Sequence, residues 1–268
     1  MPDRNDVGAA TPVLEAASVS IRFGGVQALQ DVDFAVNDHE IVGILGPNGA
    51  GKTTFFNCVS GFYTPTSGRI WISGTDVTEM RPDERAQLGL GRTFQQVGLV
   101  RSFTVLENLI VAQHMNVTYG VAGGMFGAPW TFREEKILRA RAMEVLDFMG
   151  LADLRDSPVT GLPYGTLKMC EVAAVMATDP QIIMLDEPLA GTGPEEGEQF
   201  CQRLKDMRRQ LGICIVMIEH HVPLVLKTAD YIYVLNFGAL LAQGLPDDIR
   251  GNEAVAEAYM GEGAKSLV

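Results

Sequence analysis

Hydrophobic and polar positions alternate from Leu14 to Ile44, a period of two that predicts short strands. Gly24–Gly25 and Asn37–Asp38 interrupt the alternation as turns. Ile41–Leu45 is a short apolar run that feeds directly into GPNGAGKTT, after which Thr54–Ser60 reads as helix. Strand, glycine loop and helix make one βα unit. A further short strand is expected around Arg69–Ser73. Residues 81–160 then turn helical in character. REEKILRARAMEVLDFMGL (133–151) carries an apolar stripe at Ile137, Leu138, Val145, Leu146 and Phe148.

From Gln181 the βα alternation returns. QIIMLDEP is followed by a helix over roughly 195–210, then by ICIVMIEH, another helix and YIYVLNFG. The pattern predicts an α/β core, about 13–95 and 181–262, interrupted by a helical insertion at about 96–180. Residues 1–12 and 263–268 are expected to be tails. The stretch 119–130, YGVAGGMFGAPW, is glycine-rich yet apolar. It is either a surface insertion or a contact with a partner, because exposed Met125, Phe126 and Trp130 would be unusual unless they pack on something.

Composition narrows the classes. The chain has 268 residues, 47% apolar and 20% charged, with a net charge of −12. A general nucleic-acid surface needs a basic face, so nucleic acid is a poor fit. Cys58, Cys170, Cys201 and Cys214 lack paired spacing, which predicts buried thiols in a reducing compartment rather than zinc or disulfides. No run of about 18 apolar residues occurs, and MPDRNDVGAATP has no apolar signal region. A cytosolic protein is expected.

Gly46-Pro47-Asn48-Gly49-Ala50-Gly51-Lys52-Thr53-Thr54 fits GxxxxGK[ST] in full, after a strand and before a helix. The glycines let backbone N–H groups converge on a phosphate, and the helix N-terminus adds partial positive charge. Lys52 can reach the β- and γ-phosphates, and the Thr53 hydroxyl can ligate Mg²⁺. Ile182–Glu187 is a buried apolar strand ending in two carboxylates, which needs a reason because uncompensated buried charge is costly. Asp186 suits Mg²⁺, and Glu187 suits polarising an attacking water. A second strand, Ile213–Ile218, ends in Glu219-His220-His221. It brings His220 to the same rim of a parallel sheet, within reach of a γ-phosphate. His221, His39 and His114 read as ordinary surface histidines.

With those residues in place, the chain resembles an ATP-binding subunit of an ABC transporter over roughly residues 12–262. The resemblance implies a P-loop NTPase fold with a mixed sheet and an inserted helical subdomain, and ATP and Mg²⁺ as ligands. It implies that Phe23 in IRFGG stacks on adenine, that Gln95 in GRTFQQ ligates Mg²⁺ and senses the membrane partner, and that His220 is the family's switch histidine. GRTFQQVGLVRSFTVLENLIVAQH (91–114), LAGTGP and the ending EAYMG resemble the branched-chain amino-acid uptake group most closely. That group implies a second ATP-binding subunit, two transmembrane permease subunits and, indirectly, an extracytoplasmic solute-binding protein. The place implied is the cytoplasmic face of the inner membrane. Non-transport members of the family need long coiled-coil insertions or tandem cassettes, which this chain lacks. Lipid or polysaccharide export is the nearest rival, and a regulatory half with little turnover is a further one.

The chain departs from the family where it would serve a neighbour. The family signature, usually LSGGQ or LSYGQ, closes over the ATP of the opposite subunit. Here it reads Leu162-Pro163-Tyr164-Gly165-Thr166. Pro163 offers neither hydroxyl nor N–H, and Thr166 is shorter than glutamine. In Ala190-Gly191-Thr192-Gly193-Pro194, Gly193 replaces the family's Asp or Asn. The expectation is a heterodimer with unequal sites, in which a lost hydrogen bond to a charged group costs about 1.5–3 kcal/mol.

Overall fold

The computed structural model describes residues 11–94, 98–116 and 129–260. Its centre is a six-stranded sheet in the order β10-β9-β3-β8-β7-β6. The strands are β3 (Ile41–Leu45), β6 (Leu90–Arg92), β7 (Ile182–Asp186), β8 (Cys214–Ile218), β9 (Tyr231–Asn236) and β10 (Ala239–Gly244). β3 runs parallel to β8 and β9, and β7 runs parallel to β6 and β8; only β10 is antiparallel to its neighbour. A second, antiparallel sheet, order β2-β1-β4-β5, is made by β1 (Leu14–Phe23), β2 (Val26–Val36), β4 (Ser67–Ile72) and β5 (Thr75–Asp76).

The central strands are apolar throughout because both faces are covered. Successive side chains point to opposite faces. Val42, Ile44, Ile182, Met184, Val216 and Ile218 therefore join one cluster with the antiparallel sheet and with Phe55 and Phe56. Ile41, Leu45, Ile183, Leu185, Ile215 and Met217 join another with the helices on the far side. Phe55 and Phe56 come from α1 (Lys52–Val59), which follows β3.

After the short α2 (Pro82–Gln87), helices α3 (Val105–Ala112), α4 (Pro129–Met149) and α5 (Tyr164–Met176) lie between β6 and β7 in sequence. Val105, Leu109, Leu146 and Val172 share the second cluster with the sheet. The remaining helices are α6 (Pro194–Leu211), α7 (Val222–Thr228), α8 (Pro246–Arg250) and α9 (Glu253–Met260). Close approach fixes two positions in the sheet. A Cβ on Gly43 would stand 2.5 Å from Val225 of α7, and one on Gly91 would stand 2.5 Å from Val175 of α5.

Two expectations are corrected. The stretch 81–160 is not helical throughout: Leu90–Arg92 is an edge strand held by its pairing with β7. On α4 one of the expected stripe positions departs, while Val145 and Phe148 pack half-buried against the core. Leu138, Ala142, Leu146 and Met149 are buried, whereas Ile137 is 60% exposed. All four cysteines are buried and free, and His39, His114 and His221 are exposed. The stretch 117–128, Gln95 and the segments 1–10 and 261–268 lie outside the described residues.

Candidate active site

The parallel strands end on one rim, and each delivers a different group there. β3 runs into the glycine loop, β7 into Asp186 and Glu187, and β8, which lies between them, into Glu219 and His220. The loop's fold depends on glycine at two points. Gly46 has φ +149, and a Cβ there would stand 2.2 Å from the Leu235 carbonyl oxygen; Gly51 has φ +98, with the Ala28 carbonyl oxygen at 2.8 Å. The Gly46 N–H donates to the Tyr259 hydroxyl at 2.7 Å, so the loop is also tied to α9. Lys52 is buried at the start of α1, and its ammonium donates to the carbonyls of Gly46 and Pro47 at 2.6 and 2.9 Å.

A cavity of about 530 Å³ opens over this loop. Asn48, Gly49, Ala50, Gly51, Lys52, Thr53 and Thr54 line it from one side, and Glu187 and His220 from another. Val26, Gln27, Ala28, Phe237 and Gly238 complete the wall. Phe23 does not line it. Its ring meets Tyr63 edge-on, with centroids 5.1 Å apart. Phe237, an aromatic residue that the sequence did not single out, is 89% exposed at the cavity wall.

His220 Nε2 lies 2.8 Å from Glu187 Oε1. The sequence assigned His220 to a γ-phosphate; the structure gives it Glu187 as a partner and leaves it facing the same cavity. Glu187 has φ +49, a left-handed backbone that costs a non-glycine residue about 1–3 kcal/mol and points to a positional demand. Its N–H donates to the Ile218 carbonyl at 3.0 Å, which carries the ladder between β7 and β8 one residue past the end of β7.

Behind these groups stand two buried acids. Asp186 is 2% exposed, and Arg92 Nη2 approaches its Oδ2 at 3.3 Å. Burial pushes the Asp186 carboxyl above the ordinary carboxylate range, and Arg92 opposes that. Arg92 also donates to Asn57 and Ser60 at 2.8 and 2.5 Å, with the rings of Phe56, Phe62 and Phe94 all within 6 Å of its guanidinium (5.6, 5.6 and 5.4 Å). Glu219 is 3% exposed and accepts from the N–H groups of Leu189 and His220 at 2.7 and 3.2 Å. Burial pushes its carboxyl up to about 7. No motif in the sequence marks Arg92, Glu219 or Tyr259 as part of the site, although Tyr259 lies within EAYMG.

The 162–166 stretch contributes nothing to the wall of this cavity. Pro163 is the N-cap of α5, and its carbonyl accepts from Leu167 N–H at 2.9 Å. The two stretches that carry the departures lie against each other. A Cβ on Gly165 would stand 3.0 Å from Glu196 and 3.3 Å from Thr192, and one on Gly191 would stand 3.2 Å from the Tyr164 ring. Gly193 caps α6, with its N–H donating to Glu196 Oε2 at 3.3 Å. The signature stretch and the loop after Glu187 thus form one surface, separate from the chain's own phosphate loop.

Such a loop beside a paired glutamate and histidine can bind and hydrolyse a nucleoside triphosphate, and similarity agrees. The ABC transporter family matches residues 29–190. The chain belongs to the ABC transporter family. A second match, to branched-chain amino acid ATP-binding cassette transporters, spans residues 239–265 and so includes α8, α9 and Tyr259. The branched-chain amino acid transport ATP-binding protein LivG of Escherichia coli K12 is 40% identical over 94% of this chain and 98% of its own length. BraF of Pseudomonas aeruginosa is 39% identical over the same shares. Among solved structures, the ADP conformation of an ATP-binding cassette of an ABC transporter superposes with a TM-score of 0.83 at 30% identity, covering 94% of this chain and 100% of that one. The α/β P-loop NTPase fold of an ABC cassette is thereby established, and the chain is an ATP-binding, ATP-hydrolysing subunit of that family.

Proposed function

We propose that the chain is the ATP-hydrolysing motor of an importer for branched-chain amino acids or related small solutes. The support is its 40% identity to LivG along almost the whole of both chains, together with the Glu187–His220 pair at the phosphate loop. It works at the cytoplasmic face of a membrane, as a dimer with a second ATP-binding subunit on two permease subunits served by a solute-binding protein. No helix among the described residues is long and apolar enough to cross a membrane, so attachment to membrane subunits fits.

In the reaction, backbone N–H groups of 46–54 and the α1 N-terminus hold the phosphates, and Lys52 leaves its loop carbonyls to meet the β- and γ-oxygens. Glu187 Oε1 orients a water in line with the γ-phosphorus and accepts its proton as the bond forms. The single Nε2 hydrogen bond of His220, made to Glu187 Oε1 at 2.8 Å, passes to a γ-phosphate oxygen when nucleotide binds, which leaves Glu187 Oε1 for the water. Phe23, at the end of β1, stacks on the adenine. Mg²⁺ fits the donor set, because hard oxygens from the exposed Thr53 hydroxyl and the Asp186 carboxylate suit an ion that takes few protein ligands and keeps phosphates and waters. Thr53 and Asp186, with Gln95, would hold it, and it would neutralise charge on the phosphate oxygens.

The contiguous surface of Leu162, Pro163, Tyr164, Gly165 and Thr166 with the 190–194 loop faces the partner's nucleotide. Lacking a hydroxyl at Pro163 and a side chain at Gly193, it supports a heterodimer with unequal sites. The test is ATP turnover of the assembled transporter. Pro163→Ser with Gly193→Asn is expected to raise turnover, and Glu187→Gln to remove more than half of it. If the restorations change nothing while Glu187→Gln leaves half the activity, the unequal-site reading fails.

A further inference from the structure

α5, the helix that opens with the signature stretch, carries a buried ion pair that the nucleotide cavity does not use. Lys168 Nζ stands 3.1 Å from Glu171 Oε2, and the two side chains are only 3% and 6% exposed. A buried ion pair is unfavourable unless its remaining donors and acceptors are also satisfied. Here satisfaction comes from another part of the chain. Lys168 donates to the Phe94 carbonyl at 3.0 Å. Glu171 Oε1 accepts from the N–H of Phe94 at 3.2 Å and from that of Gly98 at 3.4 Å. The pair therefore grips the main chain on both sides of residues 95–97.

Its other end reaches the signature surface. Lys168 Nζ lies 5.9 Å from the centre of the Tyr164 ring, and Tyr164 covers Gly191. An i,i+3 pair meant only to support its own helix gains nothing from burial, since surface pairs do that without desolvation. The bonds to 94 and 98 account for the buried position.

We infer that Lys168 and Glu171 are a positioning pair that couples the main chain flanking residues 95–97 to the helix presenting 162–166. A displacement of Phe94 or Gly98 is thereby passed to the signature surface. The inference rests on the proposed role of 162–166 towards a partner's nucleotide and names the side chains that link it to the 94–98 segment.

Amide hydrogen exchange of the full-length chain, with and without the Mg²⁺ complex of a non-hydrolysable ATP analogue, tests the link. In the native chain the analogue is expected to change exchange at 94–98 and at 164–176 together. Lys168→Met with Glu171→Met fills the same space without charge. It should keep the response at 94–98 and reduce that at 164–176 roughly fivefold or more, the low end of ordinary coupling between sites. Analogue affinity, read by fluorescence displacement, should be retained. Lys168→Met with Glu171→Gln keeps an acceptor for both amides and should give an intermediate response, which also serves if the first variant fails to fold. A full response at 164–176 in either variant, or separate responses in the native chain, overturns the inference. Failure of the native chain to bind the analogue instead overturns the nucleotide reading, and the inference falls with it.

Discussion

The Glu187 carboxylate and the His220 imidazole meet at 2.8 Å across the ends of two adjacent parallel strands. The left-handed backbone at Glu187 and its N–H bond to Ile218 hold the carboxylate at the cavity wall rather than along the strand. Glu187→Gln keeps the size and one acceptor but cannot take a proton. ATP turnover should fall by about 10²–10⁴-fold, with ATP affinity retained. His220→Ala should also slow turnover, by a smaller factor, because Glu187 remains. Steady-state turnover beside equilibrium nucleotide binding checks both, and equal turnover in native and Glu187→Gln protein would sink the assignment.

Tyr259 bonds the first glycine of the phosphate loop from 213 residues away in sequence. Tyr259→Phe removes the oxygen that accepts from Gly46 N–H in a buried setting, at a cost of about 1–3 kcal/mol. Unfolding by denaturant should show that loss. Nucleotide affinity should also weaken, by roughly tenfold if about 1.4 kcal/mol of it is expressed at the loop. Unchanged stability and affinity would mean that the contact does not support the loop.

Much of the site was legible because it is local. An apolar run, a glycine loop and a helix follow each other within residues 41–59, and no distant residue is needed to specify them. The same holds for Ile182–Glu187 and Cys214–His220, where buried strands end in polar groups that must face the rim. What was missed depends on pairing at long range. Leu90–Arg92 is too short to announce itself and becomes a strand only beside β7. Arg92 meets an acid 94 positions on, and nothing near it in sequence marks it. Phe237, on the β9–β10 turn, lines the phosphate-loop cavity without matching any motif, whereas Phe23 stands outside that wall at the end of β1. The exposure of Ile137 on α4 has the same origin, since the packing of α3 and α5 decides which face is covered.

Arg92 is the cation that answers Asp186 in the interior, and its guanidinium also serves Asn57 and Ser60. Arg92→Met should destabilise the fold by about 3–5 kcal/mol, because Asp186 is left as an unpaired buried charge. Arg92→Lys should recover only part of this, since an ammonium cannot span three partners as a planar fork does. Denaturant unfolding of Arg92→Met, Asp186→Asn and the double variant closes the cycle. The double variant should lose less than the two singles added together; strict additivity would show that the pair is not coupled.

Glu219 gives the stability of the fold a pH dependence of definite sign. Burial raises its carboxyl from the ordinary 4.5 to about 7, the neighbouring charge of Glu187 adds to the rise, and the N–H groups of Leu189, His220 and His221 pull the other way. Between about 4.5 and 7 the folded chain keeps a proton that the unfolded chain has released. The folded state binds more protons there, so this group's contribution to stability falls as pH rises through that window, and above it the loss is complete. The size is on the order of 3 kcal/mol. Glu219→Gln cannot ionise and keeps a carbonyl for Leu189 N–H. Its stability, measured by denaturant unfolding at pH 5, 6, 7 and 8, should fall less steeply than that of the native chain. If the two slopes coincide, Glu219 ionises in the folded protein as it does in water, and its burial carries no electrostatic cost.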